Sequence, residues 1–551
     1  MPSNNRSPIL PLIVFAGILV GAGAWLGFTS PGVFWPGLIC MLVLYFVVCW
    51  IGWRAGHNRN RGSADEMMLA GRAMPLGLAV CTMSATWLGG GYINGTAEYV
   101  YRSDFGLVWT QAPWGYALSL IIGGLFFAGR MRKMGYHTML DPLQQRYGQG
   151  MAAALFLPAV TGEIFWSAAI LTALGATFGV ILEVDIETAI ILSAVIAIVY
   201  TMLGGLWAVA ATDAFQVLLI FLGLGLVVVF AVPEAGGLAA MVEGYRETMG
   251  PQGRLFPPLA RSNSDGLGKY YWQWWDSMLL LAFGGIAWQV YFQRVLAAKS
   301  AAVARNLSLF AAGICIAAAV LATLIGMAGQ QMDWAALGVD RLSDAEGNLV
   351  LPYVIRYCTP VPIAMLGLGA IATAVMSSVD SSILSAASMA TWNVYRPLVH
   401  PDASLMQLGK LIRRCIVLVG VAALLLALQV KSVYALWFLC SDFVYCILFP
   451  QLVCALYDRK ANRLGSAAGL AVSAVLRFGA GEPALNLPRF LPWPMIEDGL
   501  VLFPFRTTAM LSSLIMIVVV SRCTQRLAPP TALFSVHHDP AHDREESAAG
   551  A

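Results

Sequence analysis

The run Met376-Ser377-Ser378-Val379-Asp380-Ser381-Ser382 places several hydroxyls and one carboxylate on adjacent turns of a helix. Hard cations such as sodium take oxygen ligands. Hydroxyls combined with free backbone carbonyls can hold such an ion without a full negative charge for each one. Serine in a membrane helix also serves plain close packing, but a run this dense beside an aspartate favours ion binding. Free carbonyls have two candidate sources. Thr86-Trp87-Leu88-Gly89-Gly90-Gly91-Tyr92 interrupts one apolar stretch, and Gly284-Gly285-Ile286-Ala287-Trp288 interrupts another. Glycine lets carbonyls leave the helix ladder. Paired interruptions in two halves of a membrane protein point to a carrier's central site.

Aromatic side chains form the second constellation. Trp87 and Trp288 flank the two breaks, Trp109, Trp114 and Tyr116 follow the first, and Trp166 follows Gly162-Glu163-Ile164-Phe165. Trp25, Trp35, Trp50 and Trp53 read as an interfacial belt. Trp87, Trp166 and Trp288 do not, because they sit well inside their segments beside polar residues or glycine. Ring faces attract a cation at about 2 kcal/mol or more each when desolvated. A quaternary ammonium has no N–H to donate, so enclosure by rings serves it better than pairing with a carboxylate. Acidic residues lie in or at the edge of apolar segments at Glu98, Glu163, Asp213, Asp276, Asp380 and Asp442. A charge at the bilayer centre costs at least about 2.5–3.5 kcal/mol, so each needs a reason. Glu98 and Asp276 read as residues capping span ends, and Asp213 and Asp380 as functional.

The elements that position these groups are membrane helices. The chain has 551 residues, 59% hydrophobic and only 11% charged, against about 25% charged in soluble domains. Apolar runs of about 20 residues recur throughout, so the protein is a polytopic all-α membrane protein. The ten cysteines are scattered without paired spacing, which argues against a disulfide framework or a zinc site. No hydrolase, kinase or metalloprotease motif and no basic stripe for nucleic acid occurs, so the chain is not read as an enzyme. We expect 13 core spans between residues 33 and 522, among them 187–206 and 463–478, and an additional helix rather than a signal at 8–28. Short loops bearing Arg54, Arg59, Arg61 and Arg72, then Arg130, Arg132, Lys133 and Arg146, then Arg294, Lys299 and Arg305 read as cytoplasmic by the positive-inside rule.

Each broken span is followed by four more, and the two start on opposite sides. That fits an inverted repeat of two five-helix units. The expected organisation is 1–32 as an extra N-terminal hydrophobic segment, and 33–75 as the first core helix with its cytoplasmic loop. Repeat one is 76–232, an extracellular loop 233–271 and repeat two 272–456. Helices at 457–522 and a disordered cytoplasmic tail at 523–551 complete the chain.

Several motifs resemble the sodium:solute symporter family, and within it the choline-transporting branch. They are SATWLGGGYINGTAE (84–98), QAPWGY (111–116), TMLDPLQQRYG (138–148), GEIFWSAAI (162–170), GGIAWQVYFQRVL (284–296), AVMSSVDSSILSAASM (374–389) and SDFVYCILFPQL (441–452). The resemblance runs from about residue 33 to about residue 522. It implies a LeuT-type fold and sodium-coupled, chloride-dependent choline uptake by a multi-pass protein of the plasma membrane (cell or inner membrane). Carried over by position, it implies a choline cage of Trp87, Tyr116, Trp166 and Trp288, picking Tyr116 over Trp109 and Trp114. It implies a sodium site from the carbonyls of Ala85 and Leu88 with Ala374, Ser377 and Ser378. A second sodium site seen in some relatives implies Asp213 with Ser377, Asp380 and Ser381. The chloride has no assigned residues. Rival readings are a symporter of another methylated cation such as betaine or carnitine, a channel or receptor, and a membrane enzyme acting on lipid head groups.

Overall fold

The computed structural model describes residues 10–29, 33–59, 63–182, 185–259, 267–430, 433–482, 485–497 and 499–536. Nearly all of the regular structure is helical, as it must be where no water can satisfy the backbone. Among the described residues ten helices are long and apolar enough to cross a membrane. With the bent pair Leu76–Trp87 and Gly90–Tyr101 taken as one span there are eleven. The expected 13 core spans are not reached by this measure. Helices do form at the two remaining positions, Ile186–Val199 and Arg463–Gly479. The latter is short: its 17 residues rise only about 25 Å, against a hydrocarbon core of about 30 Å, whereas the former is the first part of Ile186–Glu234, up to its kink at Gly205. The segment expected at 8–28 is the helix Leu10–Thr29, packed on Trp35–Arg59.

At the centre stands the helix Val361–Met389, which carries the serine run and is buried without interruption from Gly367 to Met389. A helix enclosed on all sides has no face to give to lipid, which is why small residues dominate it. It packs against Ile186–Glu234 and Gln149–Leu182. The first of these is kinked at Gly205, whose φ of 58° suits glycine alone. Both broken spans separate as expected. Leu76–Trp87 and Gly90–Tyr101 meet at a bend of 52°, and Tyr271–Gly284 is followed after a short extended link by Gln289–Ala297.

The expectation of a disordered tail is also corrected as far as residue 536. Val536 N donates to Met134 O at 2.9 Å, Phe534 N to Gln145 Oε1 at 3.2 Å, and Arg146 to the Thr531 carbonyl. The Met134 carbonyl and the side chains of Gln145 and Arg146 supply the partners that hold this stretch. Residues 537–551, including His537, His538 and His542, lie outside the described residues.

Candidate functional site

Both glycine breaks owe their residue type to close approach. Gly89 has φ of −70°, which any residue adopts. A Cβ there, however, would overlap the Ser378 hydroxyl. A Cβ at Gly285 would press on the Ser119 hydroxyl and stand 3.0 Å from the Trp87 ring. The first break is thus pressed against the serine helix, and the second against the first.

Four aromatic side chains named from sequence meet where the breaks meet. Trp87 and Tyr116 lie 4.7 Å apart, centroid to centroid, at 49°. Trp288 meets Trp166 edge-on at 5.0 Å and 85°. All four are buried. A fifth ring was missed: Trp437 packs on Tyr116 at 5.4 Å, and its carbonyl accepts from Ser441, which in turn bonds the Tyr116 hydroxyl at 3.2 Å. Nothing in its neighbourhood in the sequence separates Trp437 from an interfacial tryptophan. These five rings, a sixth from Tyr92, and Gly89 line a cavity of about 20 Å³, room for about one water, and no carboxylate is in its wall among the described residues. Trp109 and Trp114 are elsewhere, against Phe105 and Phe256 respectively.

The oxygen-rich cluster lies directly beneath. Ala374, Ser377, Ser378 and Ser381 recur at helical spacing along one face. Ser378 donates to the Thr86 carbonyl at 3.0 Å, and Thr86 Oγ1 lies 3.3 Å from Ser381 Oγ. These bonds bring the face against the first break, where Ala85 and Leu88 are fully buried. Ser377 and Thr82 both donate to the Asp213 carboxylate, and Ser381 donates to Asp380 at 3.3 Å. Glu163 accepts from Ser382 at 2.8 Å. Arg294 must be removed from the set of loop charges: it is fully buried, faces Asp213, Asp380 and Glu163, and donates to Ser381. Only its place within the apolar segment, six residues past Trp288 at the second break, could have signalled this. The topology rests instead on Lys299 and Arg305.

Both faces of the bundle are closed over the cavity. On the basic face, Met74 N donates to Ala297 O and Lys299 N to Met74 O, each at 3.1 Å. These bonds tie the start of one broken span to the end of the other, and Met139 N bonds Gln289 Oε1 at 2.7 Å. On the opposite face, Asp276 accepts backbone N–H from Arg506 and Thr507 at 3.2 and 2.7 Å. Asp442 holds Arg506 Nε at 2.7 Å and Arg477 Nε at 2.8 Å. Asp276 therefore caps a helix start, and Asp442 is the hub of an ion-pair network. Glu98 pairs with Arg102 at 3.4 Å, one turn away at its span end.

Two helices broken at mid-membrane, converging on a buried cavity, define the architecture of a secondary transporter. The same fold occurs in a solved sodium-coupled sialic acid symporter, with a TM-score of 0.75 over 91% of this chain and 99% of that one at 19% identity. This is the LeuT-type class. The sodium:solute symporter family model matches residues 67–473. High-affinity choline transporter 1 of Caenorhabditis elegans is 44% identical over 89% of this chain and 86% of its own. Its Homo sapiens counterpart is 44% identical over 88% and 84%. The chain belongs to the sodium:solute symporter family.

Proposed function

We propose that this protein takes up choline together with sodium by alternating access. The observation that carries the reading is a cavity walled by six aromatic rings and, among the described residues, no carboxylate, set on the same helix break that meets the serine helix. That wall suits a cation without N–H donors. The similarity to high-affinity choline transporters at 44% identity supports the same substrate. Trp87, Tyr116, Trp166 and Trp288 form the cage, and Trp437 closes it. One sodium ion takes the carbonyls of Ala85, Leu88 and Ala374 with the hydroxyls of Ser377 and Ser378. A second takes Asp213, Ser377, Asp380 and Ser381. Those groups are all hard oxygen donors, as sodium requires.

The cavity in its closed form is too small for choline, so the rings part to admit it and close behind it. Sodium and choline are both cations, so the membrane potential drives each inward at about 2.3 kcal/mol per charge and 100 mV. The finer architecture belongs to the same proposal: 13 core spans, with Ile186–Val199 and Arg463–Gly479 counted in, two inverted five-helix units over 76–232 and 272–456, and residence in the plasma or inner membrane. Chloride is required for turnover, and the protein is a carrier rather than an enzyme. Uptake of labelled choline into proteoliposomes, with sodium and chloride replaced one at a time, tests the reading. Accumulation that stops without sodium and weakens without chloride is expected. Uptake indifferent to sodium overturns the coupling, and competition by betaine or carnitine at lower concentration than choline reassigns the substrate.

A further inference from the structure

Arg294 lies on Gln289–Ala297, the inner half of the second broken span, and is fully buried. Three carboxyl groups, Asp213, Asp380 and Glu163, act on its charge. Yet none forms an ion pair with it among the described residues. Its guanidinium is held by neutral groups instead: Ser381 Oγ, Gln293 Oε1 at 3.1 Å and the Val290 carbonyl at 3.4 Å. Arg294 Nε, Asp380 Oδ2 and Glu163 Oε1 are buried without any partner. A buried carboxyl without a contacting positive partner is costly when ionised, and a small cation held between Asp213 and Asp380 would lower that cost. Ser381 Oγ, the oxygen that Arg294 occupies, also lies 3.3 Å from both Asp380 and Thr86. A sodium ion and a guanidinium on one hydroxyl oxygen repel each other at close range in a medium of low dielectric.

We propose that Arg294 is a tethered counter-cation, which holds Ser381 when sodium is absent and is displaced from it when sodium enters between Asp213 and Asp380. The inference rests on the sodium reading above and adds the mechanical link. The helix that Arg294 anchors begins beside Trp288, a wall of the cavity, and ends at Ala297, which accepts the Met74 N–H on the basic face. Releasing Ser381 frees a helix that adjoins both the cage and the inner closure. Arg294 is thus a positioning residue for the coupled cycle, acting through the ion's ligands.

The test is the sodium dependence of choline uptake by Arg294→Gln protein, normalised to the amount in the membrane. Loss of the competitor should lower the half-saturating sodium concentration about tenfold, equivalent to about 1.4 kcal/mol. Arg294→Lys keeps the charge but not the planar fork, and should fall between Arg294→Gln and wild type. Unchanged or raised half-saturation in Arg294→Gln overturns the proposal. If that variant does not reach the membrane, hydrogen exchange on the purified wild-type chain decides. Sodium chloride in place of N-methylglucamine chloride, without choline, should speed exchange across residues 289–297, and Asp380→Asn should abolish the effect. Slowed or unchanged exchange in the wild type overturns the proposal. Choline uptake without any sodium dependence in the wild type would instead fail the parent reading.

Discussion

Replacing Trp288 by leucine separates ring electrostatics from mere shape. The Trp288 side chain is 5% exposed and meets Trp166 edge-on at 5.0 Å. Its Nε1 makes no hydrogen bond, so its removal orphans no buried acceptor. The cost to the fold is lost packing alone, at most about 3 kcal/mol. The cost to a bound cation is one desolvated ring face, about 2 kcal/mol, or about thirtyfold in affinity. The assay compares inhibition of labelled choline uptake by unlabelled choline and by 3,3-dimethylbutan-1-ol, which has the same shape with carbon in place of the charged nitrogen. Both numbers are normalised to protein in the membrane. Wild-type protein should prefer choline strongly, and Trp288→Leu should shrink the ratio between the two by about thirtyfold. An equal loss for both compounds would mean the ring only fills space. No loss for either would remove Trp288 from the site.

Other perturbations follow from the same geometry. Gly89→Val sets a branched side chain against Ser378, and overpacking of this kind costs about 1–3 kcal/mol. Sodium-dependent uptake should fall more than tenfold at normal membrane levels; near-normal uptake would show that the break tolerates separation from the serine helix. Arg477→Met removes the buried guanidinium shared by Asp442 and Glu482; Asp442 keeps Arg506, so the loss stays below the about 3–5 kcal/mol of a fully broken buried pair. It should lower the melting temperature of detergent-purified protein, and an unchanged value would refute the role of the network. On the basic face, the His137 imidazole, its Nε2 3.2 Å from Oδ1, holds the Asp65 carboxyl below its usual range. A depressed carboxyl contributes stability above its unfolded value, about 3.9, and loses it as pH falls through the folded one. Asp65 is partly exposed, so the effect is below about 1 kcal/mol. Asp65→Asn should melt slightly lower than wild type at pH 7, with the gap closing below about pH 4. A gap independent of pH would rule out the charge as its cause.

Most of the aromatic cluster around the cavity was legible because tryptophan inside an apolar segment, beside glycine, has few other uses. Trp87, Trp166 and Trp288 stood out by position alone. Tyr116 did not, since Trp109 and Trp114 on the same segment were equal candidates until the family resemblance chose between them. Trp437 was invisible because its role comes from stacking on Tyr116, a contact between segments more than 300 residues apart. Arg294 was misplaced for a related reason. A basic residue near a span end ordinarily marks a cytoplasmic loop, and only the tertiary placement of three carboxyls around it keeps it inside. Length and composition give ten or eleven spans among the described residues rather than 13, because Arg463–Gly479 is a short helix and Ile186–Glu234 is one helix kinked at Gly205.

The glycines changed meaning most. Sequence suggests that they free carbonyls by adopting unusual backbone angles, but Gly89 and Gly285 adopt ordinary ones. They are small because something must pass within contact distance. Gly89 lies under the Ser378 hydroxyl, and Gly285 under the Trp87 ring. Trp87 and Gly89 are two residues apart on one interrupted helix, so the aromatic wall and the serine helix share a rigid connection at the break. An ion that changes how Ser377 and Ser378 meet the Ala85 to Leu88 turn must therefore change the seat of the Trp87 ring. The converse also holds, because coupling between two binding events is reciprocal. Under the proposed function, co-transport needs no long relay through the bundle. The two cations meet opposite sides of a single turn of backbone, and the absence of a side chain at residue 89 keeps those sides in contact.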